Sequence, residues 1–457
     1  MEFVHRAYEK GRTIAAVATP PGEGGIAIIR ISGKEALAVS DSIFSGDVLS
    51  YTSHTAHYGK ILSTPGAVID EVLLIVMKSP KSFTGEDVVE IHCHGGGLIT
   101  RKVLQRVLQA GAMAALPGEF SFKAFMNGKL DLAQAEAIQE LICAKNEKAL
   151  HTAQDQLQGL LTRIISSLQE KLTHIAAIFE AWVDYPEEGL EFASDEEILL
   201  ALSQIAQELS SLCRTYHEGK LLREGVSLCL VGAPNVGKSS LMNALSGKDR
   251  AIVTDIAGTT RDTLEEQLSW NHLHLTLTDT AGLRDTAEII EQEGIRRSLQ
   301  AAKRADLVLA VLDASEGWSP HAQHLIATLD AKKTLVVWNK IDKSTNLPTS
   351  SHPHEVFVSA KTLHGMDHLK EKIQELVLNN HISANDQILI TSQRHFQALR
   401  QAKDFIEAAI EGLQNTISPE LLSLEIKSSL KELGTILGTN ITEDVLSAIF
   451  SKFCVGK

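Results

Sequence analysis

Apolar and polar positions fall into three textures along the 457-residue chain. Up to about residue 118 the pattern is mixed. Short runs with strand character, Thr13–Thr19, Gly25–Ser32, Val72–Met77 and Asp87–His94, accompany one helical stretch, Leu98–Ala110, that runs into Gly111. The first two are joined by a turn, Pro20-Pro-Gly-Glu-Gly24. From Ser121 to about Lys220 apolar residues recur at helical spacing. They do so through Leu130–Trp182, where Gly159 is the only glycine, and through Glu196–Tyr216 after the break Pro186-Glu-Glu-Gly189. Between residue 225 and about 380, strands alternate with helical stretches, the mark of a parallel sheet. The strands read as Val226–Val231, Leu273–Thr278, Leu307–Leu312, Thr334–Trp338 and Glu355–Ser359. Helical texture then returns over Ser392–Leu413, Pro419–Leu437 and Thr442–Phe453. Ser418 is placed as an N-cap with Pro419 at the first helical position.

The expected fold is multidomain, α/β plus all-α. An α/β domain over 1–118 is followed by a helical domain in two parts, 119–220 and 383–457, with a nucleotide-binding domain inserted over 221–382. Two independent helical bundles are the alternative to two halves packed together.

The apolar run Val226–Val231 leads directly into Gly232-Ala-Pro-Asn-Val-Gly-Lys-Ser239, a strand–GxxxxGKS–helix arrangement. Backbone N–H groups of Asn235, Val236 and Gly237, with the helix N-terminus behind them, suit a phosphate chain. Lys238 meets phosphate charge, the Ser239 hydroxyl suits Mg²⁺, and Ser240 follows in the same first turn. This P-loop predicts a nucleotide site.

Four further signals come in the order a guanine-nucleotide domain requires. The segment Gly258-Thr259-Thr260-Arg261-Asp262, preceded in the same loop by Thr254-Asp255-Ile256-Ala257, offers a second hydroxyl to the metal, assigned to Thr260. Asp279-Thr280-Ala281-Gly282 closes a strand, its Asp reaching the Mg²⁺ shell and its Gly N–H the γ-phosphate. Asn339-Lys340-Ile-Asp342 follows another strand. The Asp342 carboxylate accepts from guanine N1–H and its exocyclic amine; adenine would leave it unpaired, at roughly 1–3 kcal/mol. Ser359-Ala360-Lys361 supplies backbone N–H groups for the guanine carbonyl. The five together predict GTP and an enzyme that hydrolyses it.

The water-orienting group is less direct. Where many GTPases carry a Gln just after the DxxG segment, this chain has Leu283, which neither accepts nor donates. Asp285, Glu288, Glu291 and Glu293 lie a short way downstream. No arginine finger is identifiable, though Arg261 and Arg284 are near. Asn235 offers another source of positive charge, since its amide oxygen with carbonyls of the 254–259 loop can hold a monovalent cation; a loop-stabilising hydrogen bond is the plainer role.

Composition narrows the partners. Net charge is −14, against non-specific polyanion binding by the whole surface. The five cysteines are scattered without a CxxC pair, so neither a disulfide framework nor a zinc knuckle is indicated. No run approaches the roughly 20 apolar residues of a membrane span, the start is no signal peptide, and a reducing cytoplasm is expected.

Three stretches outside the nucleotide domain carry a resemblance that covers essentially the whole chain. They are Ala18-Thr-Pro-Pro-Gly-Glu-Gly-Gly-Ile-Ala-Ile-Ile-Arg-Ile-Ser-Gly33, Pro117-Gly-Glu-Phe120 with Asn127-Gly-Lys-Leu-Asp-Leu-Ala-Gln-Ala-Glu-Ala137, and Phe453-Cys-Val-Gly-Lys457. The sequence resembles the MnmE (TrmE) family, GTPases that modify the wobble uridine of certain tRNAs. The resemblance implies an N-terminal domain that binds 5-formyl- or 5,10-methylene-tetrahydrofolate and drives homodimerisation. It also implies an FAD-binding partner of the MnmG (GidA) family, forming a heterotetramer or larger complex. Together the two would install an aminomethyl or carboxymethylaminomethyl group at uridine C5. By the same resemblance, K⁺ stands in for the arginine finger, with Asn235, Thr254, Ile256 and Thr259 as its positions, and Glu291 orients the attacking water.

The matching folate positions are Arg30, Glu90, Lys129 and Lys457. A carboxylate suits the N–H groups of a pterin, and cations suit carboxylates of a glutamate tail. Bland readings stand beside these: Arg30 as a strand-surface cation, Glu90 with His92 and His94 as one polar strand face or a weak metal site, Lys129 capping a turn, and Lys457 as a tail residue. Cys454 is a nucleophile or a structural thiol. Against the tRNA-modification reading stands a ribosome-assembly or RNA-chaperone GTPase, since Thr259-Thr260-Arg261-Asp262 also resembles such relatives.

Overall fold

The computed structural model describes residues 9–64, 66–184, 193–246, 264–270, 273–279, 300–344, 347–348, 352–381 and 388–456. In chain order the elements are β1 (Ile14–Val17), β2 (Ile26–Ser32), α1 (Ala36–Asp41), β3 (Thr55–Leu62), β4 (Val68–Met77), β5 (Val88–His94), α2 (Gly97–Gln109), β6 (Met113–Ala114), α3 (Glu119–Met126), α4 (Leu132–Cys143), α5 (Glu147–Leu157), α6 (Leu160–Asp184), α7 (Asp195–Arg214) and α8 (Tyr216–Glu224). They continue with β7 (Val226–Val231), α9 (Lys238–Ser246), β8 (Leu264–Trp270), β9 (Leu273–Asp279), β10 (Leu307–Asp313), α10 (Pro320–Thr328), β11 (Thr334–Asn339), β12 (Glu355–Phe357), α11 (Met366–His381), α12 (Gln393–Gln414), α13 (Pro419–Leu437) and α14 (Glu443–Phe450). The chain separates into two compact units. One contains residues 1–143, 153–207 and 398–457; the other contains 144–152 and 208–397.

In the first unit, six strands in the order β3-β4-β5-β2-β1-β6 form a mostly antiparallel sheet. Alternation along the strands sends Ile29, Ile31, Leu74, Val76, Val89 and Ile91 to one face, where they pack with Val103 and Val107 of α2 and Val39 of α1. The other face is the one that positions chemistry. Register sets Tyr58 beside Leu73, Leu73 beside His92 and His92 beside Ile28, and in the next row Ile75 beside Glu90 and Glu90 beside Arg30. Ile26, Tyr58 and Leu73 are exposed there, at 64%, 68% and 48%. At its β1 end the same face is covered by Phe120 and Phe83 against Ile14 and Ala16.

The two helical stretches that flank the nucleotide segment meet within this unit. α13 lies along α6, each burying a stripe at helical spacing: Leu161, Ile165, Leu168, Leu172, Ile175 and Phe179 from α6, and Leu422, Ile426, Leu433 and Leu437 from α13. Lys427 and Glu180 pair at 2.7 Å across them, and the Ser429 hydroxyl donates to the Ala402 carbonyl of α12 at 3.0 Å. α13 begins at Ser418 and Pro419 as the sequence predicts, but Ser418 makes no capping bond to a backbone N–H. α14 docks on α3 and α4 through Phe450, Phe453, Leu446, Leu132 and Phe122.

The second unit holds a sheet in the order β12-β11-β10-β7-β9-β8, parallel except for β8. Its inner strands β7, β10 and β11 are mostly apolar, as burial of both faces demands; β10 and β11 are buried at every position. The central strand β7 has β9 on one side and β10 on the other. That reversal of strand order opens the crevice where α/β sheets bind ligands. No helix among the described residues is long and apolar enough to cross a membrane.

Candidate nucleotide site and one-carbon site

The chain leaves β7 at Val231, turns through 232–237, and enters α9 at Lys238. Asn235 takes a left-handed backbone, φ 63°. Gly237 takes φ 94°, and a Cβ there would lie 2.4 Å from Nδ2 of Asn339. The ammonium of Lys238 donates to the loop carbonyls of Gly232 and Ala233, at 2.9 and 2.8 Å. Ser239 and Ser240 sit exposed in the first turn of α9. The loop therefore presents a helix N-terminus, a lysine and a hydroxyl on one side, which fits a phosphate chain with its Mg²⁺.

The base-side elements are wired to this loop. Asn339, 2% exposed, donates Nδ2 to the Val236 carbonyl at 2.9 Å, and its Oδ1 accepts from the Ala360 N–H at 3.0 Å. Lys340, itself left-handed at φ 64°, donates to the Asn235 carbonyl at 2.5 Å and to Oδ2 of Asp313 at 2.7 Å. Asp342 stands exposed and accepts from the hydroxyl of buried Ser359 at 2.6 Å. That hydrogen bond, helped by the charges of Lys361 and Lys343, holds its carboxyl below the usual Asp range. It is thus an ionised acceptor, as guanine's two N–H donors require. Asp279 ends β9 in backbone register with Leu230. Thr254, Asp255, Ile256, Ala257, Gly258, Thr259, Thr260, Thr280, Ala281, Gly282 and Glu291 lie outside the described residues.

Asp313 belongs to this network and was not singled out from sequence. It closes β10, in register with Asn339 at the end of β11. Burial raises its carboxyl, but the hydrogen bonds from Lys340 and Ser315 outweigh that and hold it below the usual range. The available signal was a polar residue ending an all-apolar strand on the carboxyl edge of a parallel sheet.

In the first unit, Arg30 and Glu90 face each other across β2 and β5 and pair at 2.8 Å. A second Arg30 nitrogen donates to the Gly456 carbonyl at 3.1 Å, so the chain's C-terminal segment reaches this pair. Gly456 has φ 96°, and a Cβ on it would meet the Val17 carbonyl at 2.4 Å. The guanidinium stands 5.9 and 5.8 Å from the rings of Phe83 and Phe120. Lys129 reaches the Pro80 carbonyl at 3.2 Å and flanks Gly85, on the same 78–87 loop that carries Phe83. A carboxylate and a cation, both partly buried, beside the partly buried ring of Phe83 suit a flat heterocycle with N–H donors and an anionic tail. Cys454 is exposed, and its carbonyl accepts from the Gly118 N–H at 3.3 Å. Lys457 lies outside the described residues. The three-residue metal alternative fails: His92 approaches Glu90 at 3.4 Å, but His94 pairs with Asp70 at 2.8 Å. No group of three His, Cys, Asp or Glu among the described residues is placed to hold a metal.

A phosphate loop locked to NKxD and SAK segments on a parallel sheet defines a P-loop GTPase. Residues 13–129 match the model of the GTP-binding protein TrmE N-terminus, and residues 132–454 match that of the MnmE helical domain. The tRNA modification GTPase MnmE of Protochlamydia amoebophila is 56% identical over all of both chains, and that of Chlamydia abortus is 44% identical over 98% of this chain and all of its own. The G domain of the T. maritima FeoB iron transporter, 29% identical, covers 33% of this chain and 98% of that one with a TM-score of 0.25. The chain belongs to the MnmE family of tRNA modification GTPases.

Proposed function

We propose that this chain binds and hydrolyses GTP to drive rearrangement of a cytoplasmic tRNA-modifying complex. With an FAD-binding MnmG (GidA)-type partner, in a heterotetramer or larger, it installs an aminomethyl or carboxymethylaminomethyl group at C5 of the wobble uridine. The carbon comes from 5-formyl- or 5,10-methylene-tetrahydrofolate. The observation that carries the reading is the pairing, in one chain, of the Asn339-centred GTP network with the Arg30–Glu90 pair.

At the nucleotide, Asp342 selects guanine and the Gly237–Lys238 turn gathers the phosphates. Ser239 with Thr260 would hold Mg²⁺, which would supply positive charge against the phosphates. Asn235, with Thr254, Ile256 and Thr259, would hold K⁺, and Glu291 would orient the attacking water. At the second site Glu90 accepts from pterin N–H groups, while Arg30, Lys129 and Lys457 meet carboxylates. The exposed apolar side chains Ile26, Tyr58 and Leu73 on the open sheet face support homodimerisation through the N-terminal domain. Residues 119–220 and 383–457 act as one helical domain around the inserted 221–382.

The test is nucleoside analysis of tRNA from cells lacking the protein. Loss of the C5 modification is expected. An unchanged wobble uridine defeats the proposal and favours the ribosome-assembly reading.

A further inference from the structure

Lys123 of α3 is 2% exposed, and nothing in the chemistry above uses it. Its ammonium donates to Oε2 of Glu86 at 2.7 Å and to the Arg12 carbonyl, while Oε1 of Glu86 accepts from the Gly11 N–H at 3.1 Å. A buried ion pair is a poor source of stability, because each charge loses its hydration; its gain is a defined arrangement of the groups around it. What it arranges here is the 78–87 loop between β4 and β5. Glu86 anchors one end of that loop. Thr84 is buried beside it, its hydroxyl 2.7 Å from that of Ser32 and its carbonyl accepting from Asn127 at 2.8 Å. From the same loop Phe83 faces Arg30, and the Pro80 carbonyl holds Lys129. Two cations of the one-carbon site therefore touch this loop, although Arg30 is held also by Glu90 and the Gly456 carbonyl.

We propose that Lys123 and Glu86 are positioning residues of the folate site: their buried pair fixes the 78–87 loop and thereby the placement of Arg30 and Lys129. This rests on the folate reading of Arg30 and Glu90. It is a role exerted through the loop, with no contact to the ligand itself.

The experiment uses the full chain and two readouts, binding of 5-formyltetrahydrofolate by calorimetry and hydrogen exchange of the peptide covering 78–87. Lys123→Met should bind at least tenfold more weakly, with faster exchange in the loop. Lys123→Arg, which keeps the charge and the donors, should restore both. Arg30→Ala should lose binding while leaving loop exchange unchanged, which separates holding the ligand from holding the loop. Should Lys123→Met fail to fold, Glu86→Gln, with size kept and charge removed, should show the same two effects more weakly. Binding within twofold of the parent together with unchanged exchange overturns the proposal. If the parent chain binds no reduced folate, the folate reading falls and the positioning role falls with it, whatever the loop does.

Discussion

Gly237 and Asn339 stand in a relationship that any side chain on the glycine would break. A Cβ at Gly237 would lie 2.4 Å from the amide nitrogen through which Asn339 holds the Val236 carbonyl. The phosphate loop and the guanine-recognition segment are therefore one hydrogen-bonded body, closed on its far side by the Ala360 N–H.

Gly237→Ala should accordingly damage nucleotide binding by two routes. Its backbone sits at φ 94°, where a side chain costs about 1–3 kcal/mol, and the methyl displaces Asn339. Affinity for a fluorescent guanine nucleotide should drop at least tenfold, with the far-ultraviolet circular dichroism unchanged. A loss of under twofold would refute the geometry.

Asp342→Asn should weaken GTP by about 1–3 kcal/mol, since an acceptor of two N–H donors becomes half a donor itself. The amide N–H should meanwhile favour a base with a carbonyl at C2. Competition between guanosine and xanthosine triphosphates reads this directly, and an unaltered preference for guanine would count against the assignment.

Asp313 carries a pH signature. Its folded-state pKa lies below the ordinary Asp value, so its stabilisation is complete above that value, about 3.9. It is lost as pH falls through the lower folded value. The stability difference between the parent and Asp313→Asn, measured by chemical unfolding, should stay flat from pH 8 to 5 and shrink only below about pH 4. A difference already fading between pH 7 and 6 would show that another group is responsible.

Glu291→Ala should keep guanine-nucleotide affinity while GTP turnover slows by about 100-fold, the scale of losing a positioned proton acceptor. The parent should also turn over faster in potassium than in sodium. Undiminished turnover in the variant removes Glu291 from the reaction, and equal rates in the two salts remove Asn235 from cation binding.

Strands β7, β10 and β11 were legible because nearly all their positions are buried and so they read as mostly apolar runs. Helix α13 was found from Pro419 to Leu437, where an N-terminal proline and a C-terminal glycine bound a regular stripe. Strand β3 escaped because it is an edge strand whose alternating positions, Ala56, Tyr58 and Lys60, face outward. Strand β8, Leu264–Trp270, is another sheet edge and is rich in Glu and Gln. The long helical run divides at Gly159, φ 78°, where α5 gives way to α6; helical spacing continues across the break and hides it.

The sequence alone determined the ligand class and the fold class, because phosphate and guanine are gripped largely by residues clustered in short segments whose spacing is local. Tertiary structure decided which distant residues act together. The Arg30–Glu90 pair with the Gly456 carbonyl, the Asp313–Lys340 contact and the buried Lys123–Glu86 pair each join residues 27 to 426 positions apart. Such meetings are set by strand register and packing, which no local pattern of side chains encodes.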